Sequence, residues 1–216
     1  MRERQVTPLA AHPEKRRYSF EQYITLLQNN EQRLEYDHGD IYAMAGSSAN
    51  HAAISANMWR ALDDALGEDA AFRAYMVDCM VRLTADVIVM PDVVVTGERA
   101  DQGEAFFLDA PQLVVEVLSK STEARDRTYK LLHYQAKQSI QEIMLISQYV
   151  QHIEVITRTP SGWGYQEYGH DEEFPLASLD VTIRVADIYR RLSIPHEKRT
   201  VLPLEMIEPV DEQEEA

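Results

Sequence analysis

The sequence predicts an α/β domain whose core runs αβββαβ: a central mixed sheet flanked by helices, with a helix and hairpin added before it and a hairpin after it. Three observations carry that prediction. A long stretch of helical spacing, SANHAAISANMWRALDDAL, is followed by three apolar runs of strand length, AYMVDCMVRL, DVIVMPDVVV and QLVVEVLS. A second amphipathic stretch, STEARDRTYKLLHYQAKQ, separates the third run from a fourth, EIMLIS. The 216 residues, 45% hydrophobic and 26% charged, can bury one substantial core, so no second domain is needed.

The elements follow in chain order. In YSFEQYITLLQ, Phe20, Tyr23, Ile24 and Leu27 recur at helical spacing behind Ser19 as N-cap, with Glu21 or Gln22 in the first turn. RLEYDHGDIYAMAG alternates polar and apolar residues about DHGD, which reads as a hairpin turning on Gly39. Ile54, Met58, Ala61, Leu62 and Ala65 then share one helical face, and the core strands and second helix follow. HIEVITRTPSGWGYQEYGH holds two β-runs around Pro-Ser-Gly, a further hairpin. FPLASLDVTIRVADIYRRL adds a short strand and a terminal helix from about Val185. After Pro195 the periodicity fades, and the tail reads as loosely ordered or partner-bound. The domain is therefore expected over residues 18–192, with an acidic tail at 193–216.

The net charge of −15 argues against nucleic acid as a partner, because polyanion binding usually shows as a basic surface. Its distribution weakens the objection. Five of the acids, Glu208, Asp211, Glu212, Glu214 and Glu215, crowd the last stretch, and between Lys120 and Lys137 five basic residues stand against Glu123 and Asp126. The single cysteine, Cys79, excludes an intrachain disulfide and a Cys-rich zinc site within one protomer. No apolar run is long enough to span a bilayer and MRERQVTPLAAHPEKRR lacks the apolar segment of a secretory signal, so a cytoplasmic protein with no membrane partner is expected.

Two of the apolar strands each carry one acid. Asp92 follows Pro91 in VIVMPDVVV, and Glu116 sits inside LVVEVLSKST. A carboxylate among Val, Ile and Leu loses several kcal/mol of solvation unless a cation, a proton or hydrogen bonds offset it. Two such acids on neighbouring strands point to a metal. Strand alternation puts Glu116 on one face with Val114 and Leu118, and Leu113, Val115 and Val117 on the other. Position 118 therefore lacks the lysine that follows the acid by two residues in one large nuclease class. Lys120, just past the strand, and Lys130, in the next helix with Asp126 and Tyr134 four residues to either side, are the replacement candidates.

Blander readings stand beside these. Asp92 could simply end a strand, Glu116 could be a buried acid bonded to backbone, Lys130 could pair with Asp126 on an exposed face, and Glu35 could be a solvated surface acid. His51, near a helix start, could touch the site or donate a capping bond, the structural role being favoured, and Trp59 and Trp163 are read as packing.

MPDVVV, then P-x-LVVEVLS-x-ST, then DR-x-x-K-x-x-x-Y, preceded by the Leu-Glu-Tyr hairpin with Gly39 and the Asn50-His51 helix start, together resemble the Uma-type putative restriction endonucleases of the PD-(D/E)XK nuclease superfamily, over roughly residues 18–192. The resemblance implies a restriction-endonuclease-like fold and a divalent-metal site. It makes Asp92 the acid of the PD motif, Glu116 the second acid, Lys130 a lysine moved from strand to helix, and Glu35 a further acid that could complete the metal shell. Lys120 departs from the family's more usual proline in Ser-Pro-Ser. The expected chemistry is hydrolysis of DNA phosphodiesters with Mg²⁺ (or Mn²⁺) held by Asp92, Glu116 and the Val117 carbonyl, and with Lys130 or Lys120 steadying charge. A homodimer is expected by analogy. The alternatives are an inactive nucleic-acid-binding or protein-interaction module on the same fold, and a hydrolase of small phosphoesters.

Overall fold

The structure, a computed structural model, describes residues 17–29, 32–44, 46–68, 70–76 and 78–196. The expected tail from residue 197 onward, with the five acids that end the chain, lies outside the described residues.

Helix α1 (Phe20–Asn29) begins with reciprocal capping: Gln22 N–H donates to Ser19 Oγ (3.3 Å) and Ser19 N–H to Gln22 Oε1 (2.9 Å). Strands β1 (Leu34–Asp37) and β2 (Asp40–Ala43) form the expected hairpin. Its two turn residues, His38 (φ 45°) and Gly39 (φ 94°), both take the left-handed conformation of a tight hairpin turn. Helix α2 (Ala49–Leu66) is capped by Ser48, whose Oγ accepts from His51 N–H at 3.1 Å.

The next two apolar runs each hold two strands where the sequence predicted one. AYMVDCMVRL divides into β3 (Arg73–Met76) and β4 (Val81–Thr84), with Asp78 in the left-handed region (φ 62°) between them. DVIVMPDVVV divides into β5 (Val87–Val89) and β6 (Val93–Thr96) at Pro91, which has no N–H to continue a ladder. Each break passes the chain between two sheets. β4 and β5 extend the hairpin into a four-stranded antiparallel sheet, β2-β1-β5-β4.

β3 and β6 join the central sheet of order β10-β9-β8-β7-β6-β3. It contains β7 (Pro111–Leu118), β8 (Glu142–Ser147), β9 (His152–Thr159) and β10 (Gly162–Gly169), and only β7 and β8 run parallel. Between β7 and β8, residues 123–136 form one helix, α3, built of α-helix Glu123–Arg125, a π-helical turn Asp126–Lys130 and α-helix Leu131–Ala136. The core α2-β3-β6-β7-α3-β8 is thus the predicted αβββαβ.

The chain from Glu173 is a second correction. It forms a hairpin, β11 (Glu173–Leu176) with β12 (Val181–Arg184), rather than one strand, and helix α4 (Val185–Ile188) is a single turn.

The strand parity read from β7 holds. Leu113, Val115 and Val117 pack with Ile54, Met58 and Leu62 of α2 and with Phe174 and Ile188. Val114 and Leu118 pack with Tyr134 of α3, Ile143, Leu145 and Ile156 on the other face. Both faces are covered, which is why β7 reads as an almost continuous apolar run and why an acid inside it is buried. No helix among the described residues is long and apolar enough to cross a membrane.

Candidate active site

Glu116 points to the α3 face of β7, where burial alone would leave its carboxylate without solvation. Two side chains of α3 meet it: Lys130 Nζ donates to Glu116 Oε1 at 3.0 Å and the Tyr134 hydroxyl donates to the same oxygen at 2.5 Å. Lys130 is only 2% exposed, so the surface-pair reading of this lysine fails. Its ammonium is shared with Glu35 Oε1 (2.9 Å) and Asp126 Oδ1 (3.3 Å). Asp126, Lys130 and Tyr134 lie four residues apart along α3, so the helix offers acid, base and phenol in one inward stripe.

Glu35 enters from the other sheet. Its Oε1 also accepts from Met90 N–H (3.0 Å), and its Oε2 accepts from Arg125 Nη1 (3.1 Å). Both oxygens are therefore taken by protein donors, and Glu35 is absent from the walls of the adjoining pocket. Glu35 thus stands behind Lys130 and holds it.

Asp92 sits at the start of β6, immediately after Pro91. Its backbone N–H donates to the Val115 carbonyl (3.0 Å), and its Oδ2 accepts from Val117 N–H at 2.7 Å. The same oxygen is 3.2 Å from His51 Nε2. The His51 backbone does cap α2, as expected, but its side chain turns to Asp92. The signal available in the sequence was its place in the first turn of a helix leading into the core. That helix start is tied to the site by Gln148, whose Oε1 accepts from Ser48 Oγ (2.5 Å) while its Nε2 donates to the Leu118 carbonyl (2.8 Å).

A cavity of about 260 Å³ opens over these groups, walled by Arg33, His51, Asp92, Glu116, Val117, Lys120, Asp126, Lys130, Gln148 and Tyr149 among others. Lys120 is exposed at its rim, its ammonium 5.8 Å from the centre of the Tyr149 ring. The structure thus gathers Asp92, Glu116, Val117, Lys120 and Lys130 around one cavity and leaves Glu35 one layer behind.

The electrostatics are unbalanced. Glu35, Asp92, Glu116 and Asp126 supply four carboxylates, whereas Lys130 and Arg125 supply two permanent cations. Burial, reinforced by Asp126, Asp92 and Glu35 and opposed by Lys130, pushes the Glu116 carboxyl up to about 8. Burial also raises Asp126. The three carboxylates around Lys130 outweigh its own desolvation and hold its pKa above the ordinary lysine value, so it stays an ammonium.

Among the described residues, no three His, Cys, Asp or Glu side chains form a ready-made metal cage. The donor set does fit Mg²⁺ or Mn²⁺, because a hard cation takes one or two carboxylates and keeps waters. Asp92 and Glu116 each commit one oxygen to protein donors, and their remaining oxygens, Oδ1 and Oε2, accept no hydrogen bond from the described residues.

Comparison with known proteins bears on the family and the fold. A family model described as "Uma2: Putative restriction endonuclease" matches residues 20–187. Uncharacterized protein slr1290 of Synechocystis sp. is 32% identical over 189 residues, covering 87% of this chain and 97% of its own. Uncharacterized protein sll1609 of the same organism is 27% identical over 136 residues, covering 62% and 76%. Among solved structures, a putative nuclease belonging to DUF820 from Anabaena variabilis superposes with a TM-score of 0.66 at 20% identity, over 78% of this chain and 96% of that one. That likeness shows the fold.

Proposed function

This chain belongs to the Uma2 family, and from that membership and the acid pair we propose that it is a metal-dependent endonuclease hydrolysing DNA phosphodiesters at the pocket over Asp92 and Glu116. One observation carries the reading: two carboxylates from neighbouring strands face one cavity, each with one oxygen fixed by the protein and one left over.

Asp92 and Glu116 would hold Mg²⁺ or Mn²⁺, with the Val117 peptide beside them. When bound, such an ion polarises a phosphoryl oxygen and makes a water acidic enough to serve as nucleophile at neutral pH. The protein's own groups do the positioning. Val117 N–H and His51 set the Asp92 carboxylate, and Tyr134 and Lys130 set that of Glu116. Lys130 brings a permanent positive charge within 3.0 Å of Glu116, which favours negative charge developing in the pocket. Lys120, exposed at the rim, would meet a phosphate of the incoming strand, while Lys130 would steady charge inside the pocket.

The test is incubation of the protein with supercoiled plasmid and single-stranded DNA, with Mg²⁺ or Mn²⁺ and with chelator. Metal-dependent cutting is expected from the native chain and from neither Asp92→Ala nor Glu116→Gln, both remaining folded by circular dichroism. Activity surviving in either variant would remove that residue from the site. The alternative of an inactive module draws on Leu118, which stands where a strand lysine would be. It predicts no Mn²⁺ binding at Asp92 and Glu116.

A further inference from the structure

One aromatic ring walls the pocket and a second stands on the hairpin strand that leads to it, each paired with a cation. On the side of the β8–β9 turn, Tyr149 is 45% exposed. Its hydroxyl accepts from Lys120 N–H (3.1 Å), which fixes the ring at the rim beside the Lys120 ammonium. On the hairpin side, Tyr42 is 36% exposed and carries the Arg125 guanidinium 3.9 Å from its ring centre. Met44, two residues on along the same chain, lines the cavity, and Arg125 itself grips Glu35. Among the described residues the other exposed large apolar side chains, Phe106, Leu132 and Tyr165, do not line this cavity, whereas Tyr149 does and Tyr42 lies two residues before Met44, which also lines it.

Charge decides what kind of polymer they suit. Duplex DNA is gripped mainly by cations on successive phosphates. Here the chain carries a net charge of −15. Of the cations at the site, Arg33 is paired with Asp78, Arg125 with Glu35 and Lys130 with three carboxylates. Lys120 makes no ion pair among the described residues. One uncommitted cation gives little hold on a duplex, whereas base stacking on aromatic rings needs no net positive charge and is open only to unpaired bases.

We propose that this pocket takes an unpaired strand, single-stranded or locally opened, whose bases stack on Tyr149 and Tyr42 while Lys120 meets its phosphate; this rests on the nuclease reading above. The experiment is fluorescence anisotropy of a short labelled oligothymidylate, and of a mixed-sequence duplex of equal length, with the native chain in chelator so that no cleavage occurs. Single strand is expected to bind at least tenfold tighter than duplex. Tyr149→Leu and Tyr42→Leu should each weaken single-strand binding about tenfold, in line with roughly 1–3 kcal/mol per stacked base. Tyr149→Phe, which keeps the ring, should restore it, and melting curves confirm that each variant is folded. Equal or tighter duplex binding, undetectable binding of the single strand, or leucine variants that bind as well as the native chain would overturn the proposal. Because binding is read without metal, plasmid cutting that survives such a result leaves the nuclease reading intact. Ring-dependent single-strand binding without any cutting leaves this proposal standing and removes that one.

Discussion

At the scale of single residues, Lys130 carries the most weight, because it is a buried ammonium held by three carboxylates that would otherwise repel one another. Replacing it with methionine removes the one charge among the described residues that pairs with Glu35, Glu116 and Asp126 together. Breaking a buried pair by deleting one partner costs about 3–5 kcal/mol, and urea unfolding of Lys130→Met should show a loss of that order at pH 8. The loss should shrink at pH 5, where Glu116 takes up a proton. The native chain has a slope of its own. Glu116 is raised from 4.5 to about 8, so between those values the folded state binds more protons than the unfolded one, and stability falls as pH rises through that window. Glu116→Gln should flatten the slope in metal-free melts at pH 5 and pH 8; an unchanged slope would place the titration elsewhere. Asp92 and Glu116 stood out in the sequence because acids inside apolar runs are conspicuous, whereas Lys130, in the polar stretch DRTYK, entered only as a substitute for a missing strand lysine. The side chain of His51 was not, because its partner lies 41 positions away and no local pattern distinguishes a capping histidine from one turned inward.

At the scale of elements, what was legible was what periodicity alone determines: α1, α2, the hairpins β1–β2 and β9–β10, and the faces of β7. The two divided strands were hidden because an apolar run does not reveal which sheet it joins. Pro91 was the one local sign, and it marks the passage from one sheet to the other. The π-helical turn in α3 was also invisible, since Asp126, Lys130 and Tyr134 have the spacing of an ordinary helical stripe, yet the Leu131 N–H reaches back to the Asp126 carbonyl. The α2 N-terminus bears on function most directly. Ser48 caps the helix that presents His51 and also bonds Gln148, which holds the end of β7. Ser48→Ala should cost about 0.5–2 kcal/mol, the usual loss for such a cap, seen as a lower urea midpoint with an unchanged slope. It should also reduce metal-dependent cutting, because His51 and Gln148 lose their shared anchor. Full activity in the variant would show that the cap serves stability alone.

At the scale of the whole molecule, the acid cluster is where two sheets meet. Glu35 comes from the four-stranded sheet, Glu116 from the six-stranded one, and Asp126 and Lys130 from the helix between β7 and β8. The junction is held by ion pairs among crowded carboxylates, and a divalent cation at Asp92 and Glu116 would favour the ionised form of Glu116 that burial opposes. An ion bound by the native chain and not by the unfolded one stabilises it by RT ln(1 + [L]/Kd), about 2.7 kcal/mol at a hundredfold excess over Kd. For a domain of this size that corresponds to a rise in melting temperature of roughly 5–11 °C. Mg²⁺ or Mn²⁺ titrated into the protein at fixed ionic strength should produce it, and K⁺ at matched strength should not. Asp92→Ala should abolish the rise, because it removes one of the two free carboxylate oxygens without touching Lys130. Glu35→Gln should lower the starting stability and keep the rise, because Glu35 supports the lysine and offers the ion nothing. A melting temperature indifferent to divalent ions up to millimolar concentration would mean that the cluster serves only to join the sheets.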